Sequence, residues 1–170
     1  MTTSELLLAN HPFLRGLPAL QLDVLAAAAM RRNFEEGEVI FREGDPANRF
    51  YLIQRGHVDV NWRGANEELV PVERLGPGET LGWSWLFPPY HAHFEACAVE
   101  PVEAIFFYGT QVREFAERDA EFGQALMSRA ANVMLQRLQA AHREVLALRC
   151  ELAATGVAGT PRWNEFRPTN

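Results

Sequence analysis

Glycines interrupt this chain at short, regular intervals between brief apolar runs, and that punctuation limits what it can fold into. Val39 to Phe41 and Phe50 to Ile53 are alternating apolar runs, and Gly37, Gly44 and Gly56 stand between and around them. Runs this short are strands, and glycines so placed are turns that need positive φ. The same grammar returns at Leu75-Gly76-Pro77-Gly78-Glu79-Thr80-Leu81-Gly82. Strands that turn every 8–12 residues or so close into a small β-roll or sandwich.

The pattern predicts strands at about 31–35, 38–42, 49–54, 57–63, 67–75, 79–83, 92–99 and 102–108, with a hairpin tip at Gly64-Ala65-Asn66. The first 32 or so residues read as helical, with Pro18 suited to a helix start. Helix returns at Thr110, which has an N-cap side chain, and runs to about Glu117. A longer helix is predicted over about 119–153. Along it Ala131, Met134, Leu138, Ala141, Val145, Leu148 and Leu152 are spaced by threes and fours. That is a heptad seam, and it predicts a homodimer through paired long helices. The fold expected is mainly β, an eight-stranded jelly roll over about 33–108 with flanking helices. It forms one domain over 1–153, followed by a flexible tail over 154–170 that lacks apolar period.

Composition removes several functions. The 170 residues carry a formal net charge of −6, and all 16 basic residues are Arg. An acidic domain without a basic cluster does not hold a phosphate backbone, so no nucleic-acid partner is expected. Without Lys there is no Schiff-base chemistry and no Lys-dependent phosphate loop. No apolar run of about 18 residues exists and the acidic N-terminus has no signal-peptide pattern, so the reading is cytoplasmic, with no membrane partner. Cys97 and Cys150 form no Cys-x-x-Cys pair and read as ordinary small side chains. No nucleophile with a convincing partner is present, so the protein reads as a non-enzyme.

Arg-Glu-Gly-Asp-Pro-Ala (42–47) before Phe-Tyr-Leu-Ile-Gln-Arg-Gly (50–56), followed by a long helix, resembles the cyclic-nucleotide-binding domain family. In style it is closest to bacterial catabolite-activator-type regulators, and the resemblance covers about residues 12–150. It implies a regulatory, signal-transducing module in which a ligand sits between the roll and the dimer helix. It also implies a phosphate-binding cassette: Phe-Gly-Glu, a short helix, then Arg-(Thr/Ser)-Ala on the next strand. There the Glu accepts from the ribose hydroxyl and the Arg neutralises the phosphate. Relatives of the activator type continue into a winged helix-turn-helix, for which the residues after the long helix leave no room.

The chain departs from that cassette, which reads Leu81-Gly82-Trp83-Ser84-Trp85-Leu86-Phe87. Trp83 stands at the Glu position. Ala92 or His93 stands at the Arg position, and no Arg lies between Arg74 and Arg113. On the long helix Ala141 and His142 occupy the positions where the family places a Thr and a Ser. Loss of the charged phosphate contact costs about 1.5–3 kcal/mol, and loss of the ribose contact about 1–3 more. Together these are about two to four decades of affinity. The expectation is a pocket diverged from cyclic AMP, with Trp83 projecting into the space of the ribose.

What replaces the nucleotide has two readings. The cluster Trp83, Trp85, Phe87, Tyr90 and Phe94 can fill the vacated pocket and leave a protein-interaction scaffold. Alternatively, Leu81, Gly82, Trp83, Ser84, Trp85, His93, Phe94, Ala141 and His142 line a rebuilt pocket for a nucleotide-like or aromatic effector, with no firm cofactor. In either case output passes through an unidentified partner protein. A cupin-like metal enzyme is a third reading, from His91, His93 and Glu95 on one strand face. However, Glu95 follows His93 too closely for that spacing, and His57 and His142 lack supporting context.

Overall fold

A computed structural model describes residues 3–64 and 66–155. Eight strands appear among the described residues, in two four-stranded antiparallel sheets. They are β1 Met30–Phe34, β2 Val39–Phe41, β3 Arg49–Arg55, β4 Val58–Arg63, β5 Leu69–Leu75, β6 Thr80–Leu81, β7 Glu95–Ala98 and β8 Val102–Tyr108. One sheet runs β1-β8-β3-β6 and the other β2-β7-β4-β5. The turn glycines do what the sequence requires of them: Gly37, Gly44, Gly56, Gly78 and Gly82 all have positive φ.

Alternation along the strands sorts the side chains. Phe34, Tyr51, Ile53, Val102 and Ala104 from the first sheet meet Val58, Val60, Ala96 and Ala98 from the second in one buried core. Each fully buried Val, Ile or Phe contributes about 1.5–3 kcal/mol to the packing of the sheets. The other face of the first sheet is also apolar and buried, through Phe50, Leu52, Ile105 and Phe107. Phe13, from the segment between α1 (Thr3–Asn10) and α2 (Ala19–Ala28), covers it, its ring 5.3 Å from that of Phe50.

The predicted strand at 92–99 begins only at Glu95. The reason lies in the backbone bonding. Ala92 N donates to Asp45 O at 2.9 Å, Gly44 N to Ala92 O at 2.8 Å, and Ala47 N to Tyr90 O at 2.7 Å. Residues 90–92 are thus bonded to the 44–47 turn, ahead of the ladder of the second sheet.

The Thr110 cap is also corrected. Helix α3 spans Gly109–Arg118 with Tyr108 at the cap position and no side-chain cap bond. Gly109 N donates to Asn48 O at 2.9 Å, so the strand's bonding carries over into the helix start. The residue must be glycine because the Trp85 ring lies against it: a Cβ there would stand 2.9 Å from Trp85 Cβ. The long helix α4, Ala120–Ala154, is capped by Asp119, whose Oδ1 accepts from Phe122 N at 2.9 Å.

The chain falls into two compact units, the first ending at Leu126 and the second beginning at Met127. The second, as described, is the remainder of α4. Along it Leu138, Val145, Leu148 and Leu152 are each about half exposed. No helix among the described residues is long and apolar enough to cross a membrane. The predicted tail lies, apart from Ala154 and Thr155, outside the described residues, as does Ala65 of the hairpin tip.

Candidate functional site

Gly82 marks the site. Its φ is +88°, and a Cβ there would stand 2.9 Å from the carbonyl oxygen of Arg49, so the position admits only glycine without strain. It ends β6 and starts the single-turn 3-10 helix Trp83–Leu86. Beside it opens a cavity of about 200 Å³. Ile40, Phe41, Pro46 and Ala92 give apolar wall, while Asp45, Asn48, Arg49, Tyr51 and Ser84 contribute polar groups.

The site residues expected from sequence are distributed unevenly. Gly82 and Ser84 line the cavity. Leu81 belongs to the core between the sheets. Trp83 and Trp85 are absent from the lining; both turn toward Phe50 on the other face of the first sheet, at 5.0 and 5.7 Å between ring centroids. Trp85 is fully buried. The expectation that Trp83 fills the ribose space therefore meets a different geometry, in which its indole packs with Phe13 and Phe50. Phe87, Tyr90 and Phe94 remain largely exposed. His93 is exposed, with Nδ1 3.0 Å from His91 O. Ala141 and His142 are exposed residues of the second unit.

His91 and His93 precede β7, whereas Glu95 opens it and is buried. Glu95 accepts from Arg63 at 2.6 Å. No group of three or more potential metal-ligating side chains occurs among the described residues.

The first arginine after the cassette is committed elsewhere. Arg113 stacks over Tyr90 at 4.7 Å and donates to Trp85 O. The cavity is nevertheless not stripped of charge, which corrects the sequence reading. Arg49 and Asp45, neither of them in the cassette, both line it. Asp45 Oδ2 accepts from Arg42 N at 2.8 Å, fixing the 42–45 turn. The Arg49 guanidinium lies over Phe106 and Tyr108, 5.5 and 5.8 Å from their centroids, and the neighbouring Tyr51 and Tyr108 phenol groups raise its pKa. Burial pushes the Tyr51 phenol above its usual range, partly offset by Arg49, so it stays protonated and able to donate at neutral pH. The signal for Arg49 was present in the sequence: it stands two residues before Tyr51, and strand alternation puts both on one face.

Two antiparallel sheets enclosing a core, an αL glycine at a strand–helix junction and an open cavity beside it define a β-roll domain built around a small internal site. The chain belongs to the cyclic nucleotide-binding domain family, whose model matches residues 31–119. It is similar to a candidate cyclic nucleotide-binding protein of Geobacter metallireducens, at 31% identity and a TM-score of 0.71, covering 81% of this chain and 99% of that one. The catabolite activator protein of Thermus thermophilus matches at 25% identity and a TM-score of 0.66, covering 81% of this chain and 63% of that one. A cAMP-dependent protein kinase regulatory subunit of Dictyostelium discoideum is 40% identical over 86 residues. That match covers 46% of this chain and 25% of the relative's length.

Proposed function

We propose that the chain is a non-enzymatic ligand-sensing regulatory module whose cavity has diverged from cyclic AMP. In this reading it acts in the cytoplasm, as a homodimer through α4, and passes its state to a partner protein. The observation that carries the reading is the cassette itself. Trp83 replaces the ribose-binding carboxylate and turns to Phe13 and Phe50, and the chain has no arginine between Arg74 and Arg113. The cavity beside Gly82 supports a sensor over a filled scaffold, because the aromatic bulk of Trp83 and Trp85 lies outside it. Similarity to a kinase regulatory subunit and to a catabolite activator protein supports a regulatory role.

Isothermal titration calorimetry with cyclic AMP and cyclic GMP tests the divergence. The two missing contacts predict dissociation constants in the millimolar range or weaker, roughly two to four decades above a micromolar site. Micromolar binding of either nucleotide refutes the proposal.

A further inference from the structure

We propose that Arg49 is the anion-receiving group of the cavity, and that the cavity takes a small organic anion: one ring-sized apolar body carrying a carboxylate or a phosphate. The inference deepens the sensing role above and rests on it only in taking the cavity as a ligand site.

Arg49 and Tyr51 share a strand face, and Tyr51 belongs to the core between the sheets. The guanidinium is therefore presented on the inner side of the roll, at the start of β3, where it remains exposed to incoming solutes. Four other arginines of the roll hold carboxylates: Arg32 with Glu38, Arg55 with Glu103, Arg63 with Glu95, Arg74 with Asp59, while Arg31 and Arg42 do not line the cavity. Among the described residues Arg49 has no such partner. Its neighbours are two ring faces and two phenol oxygens, which orient the guanidinium while leaving its charge uncompensated. A guanidinium has five N–H donors in a planar fork that matches a carboxylate or phosphate in bidentate fashion. Two contacts to phenol oxygens leave donors to spare.

Size and lining set the rest of the ligand. An apolar cavity of about 150 Å³ accepts a benzene ring. At about 200 Å³ this one has room for a ring and its anionic substituent. Ile40 and Phe41 supply an apolar wall, and Ser84 adds a hydroxyl.

The test uses the ¹⁵N-labelled full chain titrated with benzoate, phenyl phosphate and benzyl alcohol, reading the Gly82 and Ser84 amides and the Arg49 Nε–H. At least one anion is expected to saturate these signals about tenfold or more tighter than the neutral alcohol. The preferred anion assigns carboxylate or phosphate. Arg49→Gln is expected to weaken that binding about tenfold or more, and Arg49→Lys to recover part of it. Equal response to benzyl alcohol, no saturable shift with either anion, or unchanged binding by Arg49→Gln overturns the inference. The comparison of anion with alcohol needs no variant, so misfolding of Arg49→Gln does not shield the idea. Nucleotide calorimetry separates the two proposals. Micromolar cyclic AMP binding refutes the divergence alone, whereas weak binding of both nucleotides and both anions removes the Arg49 assignment alone.

Discussion

The indole of Trp83 meets the ring of Phe13 edge-on, with centroids 5.4 Å apart, and tilts over Phe50 at 5.0 Å. A residue at the position of a ligand-binding carboxylate thus fastens the N-terminal segment to the first sheet. Trp83→Ala is expected to lower unfolding stability by about 2–4 kcal/mol in urea titrations, because Phe13 and Phe50 lose a common partner. Trp83→Phe is expected to cost under about 1.5 kcal/mol, since Trp83 Nε1 has no partner among the described residues. Phe13→Ala combined with Trp83→Ala should cost less than the sum of the two single changes. Additivity of the two sets this packing account aside.

Glu95 and Arg63 bear on the second sheet. The Glu95 side chain is 4% exposed and its carboxylate lies 2.6 Å from an Arg63 nitrogen. Removing Arg63 leaves that charge buried without its partner, whereas Glu95→Gln removes the charge itself. Arg63→Ala is expected to destabilise, and adding Glu95→Gln to restore part of the loss. A double variant less stable than Arg63→Ala contradicts this. The readout is the denaturation midpoint at constant m-value.

The strands were legible in the sequence because turn chemistry and alternation are local. Gly37, Gly44, Gly56 and Gly78 each adopt the positive φ that their spacing implies. The cavity was less legible, because it depends on which way a side chain turns. Trp83 follows an αL glycine, and that backbone conformation, which aims the indole at Phe13, is not written in the residue type. Asp45 fixes the 42–45 turn, and the same turn forms a wall of the cavity. Arg49 lies outside the spacing at which the family places its phosphate-binding arginine, so the cassette alone does not point to it. The stand-in came instead from the start of β3, brought beside Gly82 by the antiparallel pairing of Tyr51 with Leu81.

His11 gives the fold an acid sensitivity. Burial lowers its pKa from 6.5 to about 4, partly offset by the carbonyls of Ile53 and Glu79. Above pH 6.5 the ring is neutral in both folded and unfolded chains, and the full stability is present. Between 6.5 and about 4 the unfolded chain binds the proton and the folded one does not, so stability falls as pH drops through this window. The slope approaches about 1.4 kcal/mol per pH unit for one proton. In His11→Asn that component of the slope is expected to vanish, leaving the carboxylate contribution at lower pH. Urea unfolding of both proteins at half-unit pH steps measures the difference, and parallel curves contradict the assignment.

The last prediction concerns α4. Leu138, Val145, Leu148 and Leu152 follow a spacing of seven, three and four and are 43–53% exposed. An apolar seam of that period, left open on a 35-residue helix, gains most by meeting its own copy across a two-fold axis. Leu148→Glu removes a leucine from each side of the paired seam and sets two carboxylates against each other. Burial of each leucine is worth about 1.5–3 kcal/mol, so the dimer dissociation constant should rise by about two decades or more. Leu146→Glu, off the seam and equally exposed, should leave it within a few-fold, as should Gln136→Glu, which matches the added charge. Sedimentation equilibrium across a concentration series reads all three. Dissociation by Leu146→Glu with Leu148→Glu still dimeric places the contact on another face of the helix, and a wild-type chain monomeric at high micromolar concentration removes the homodimer from the proposed function.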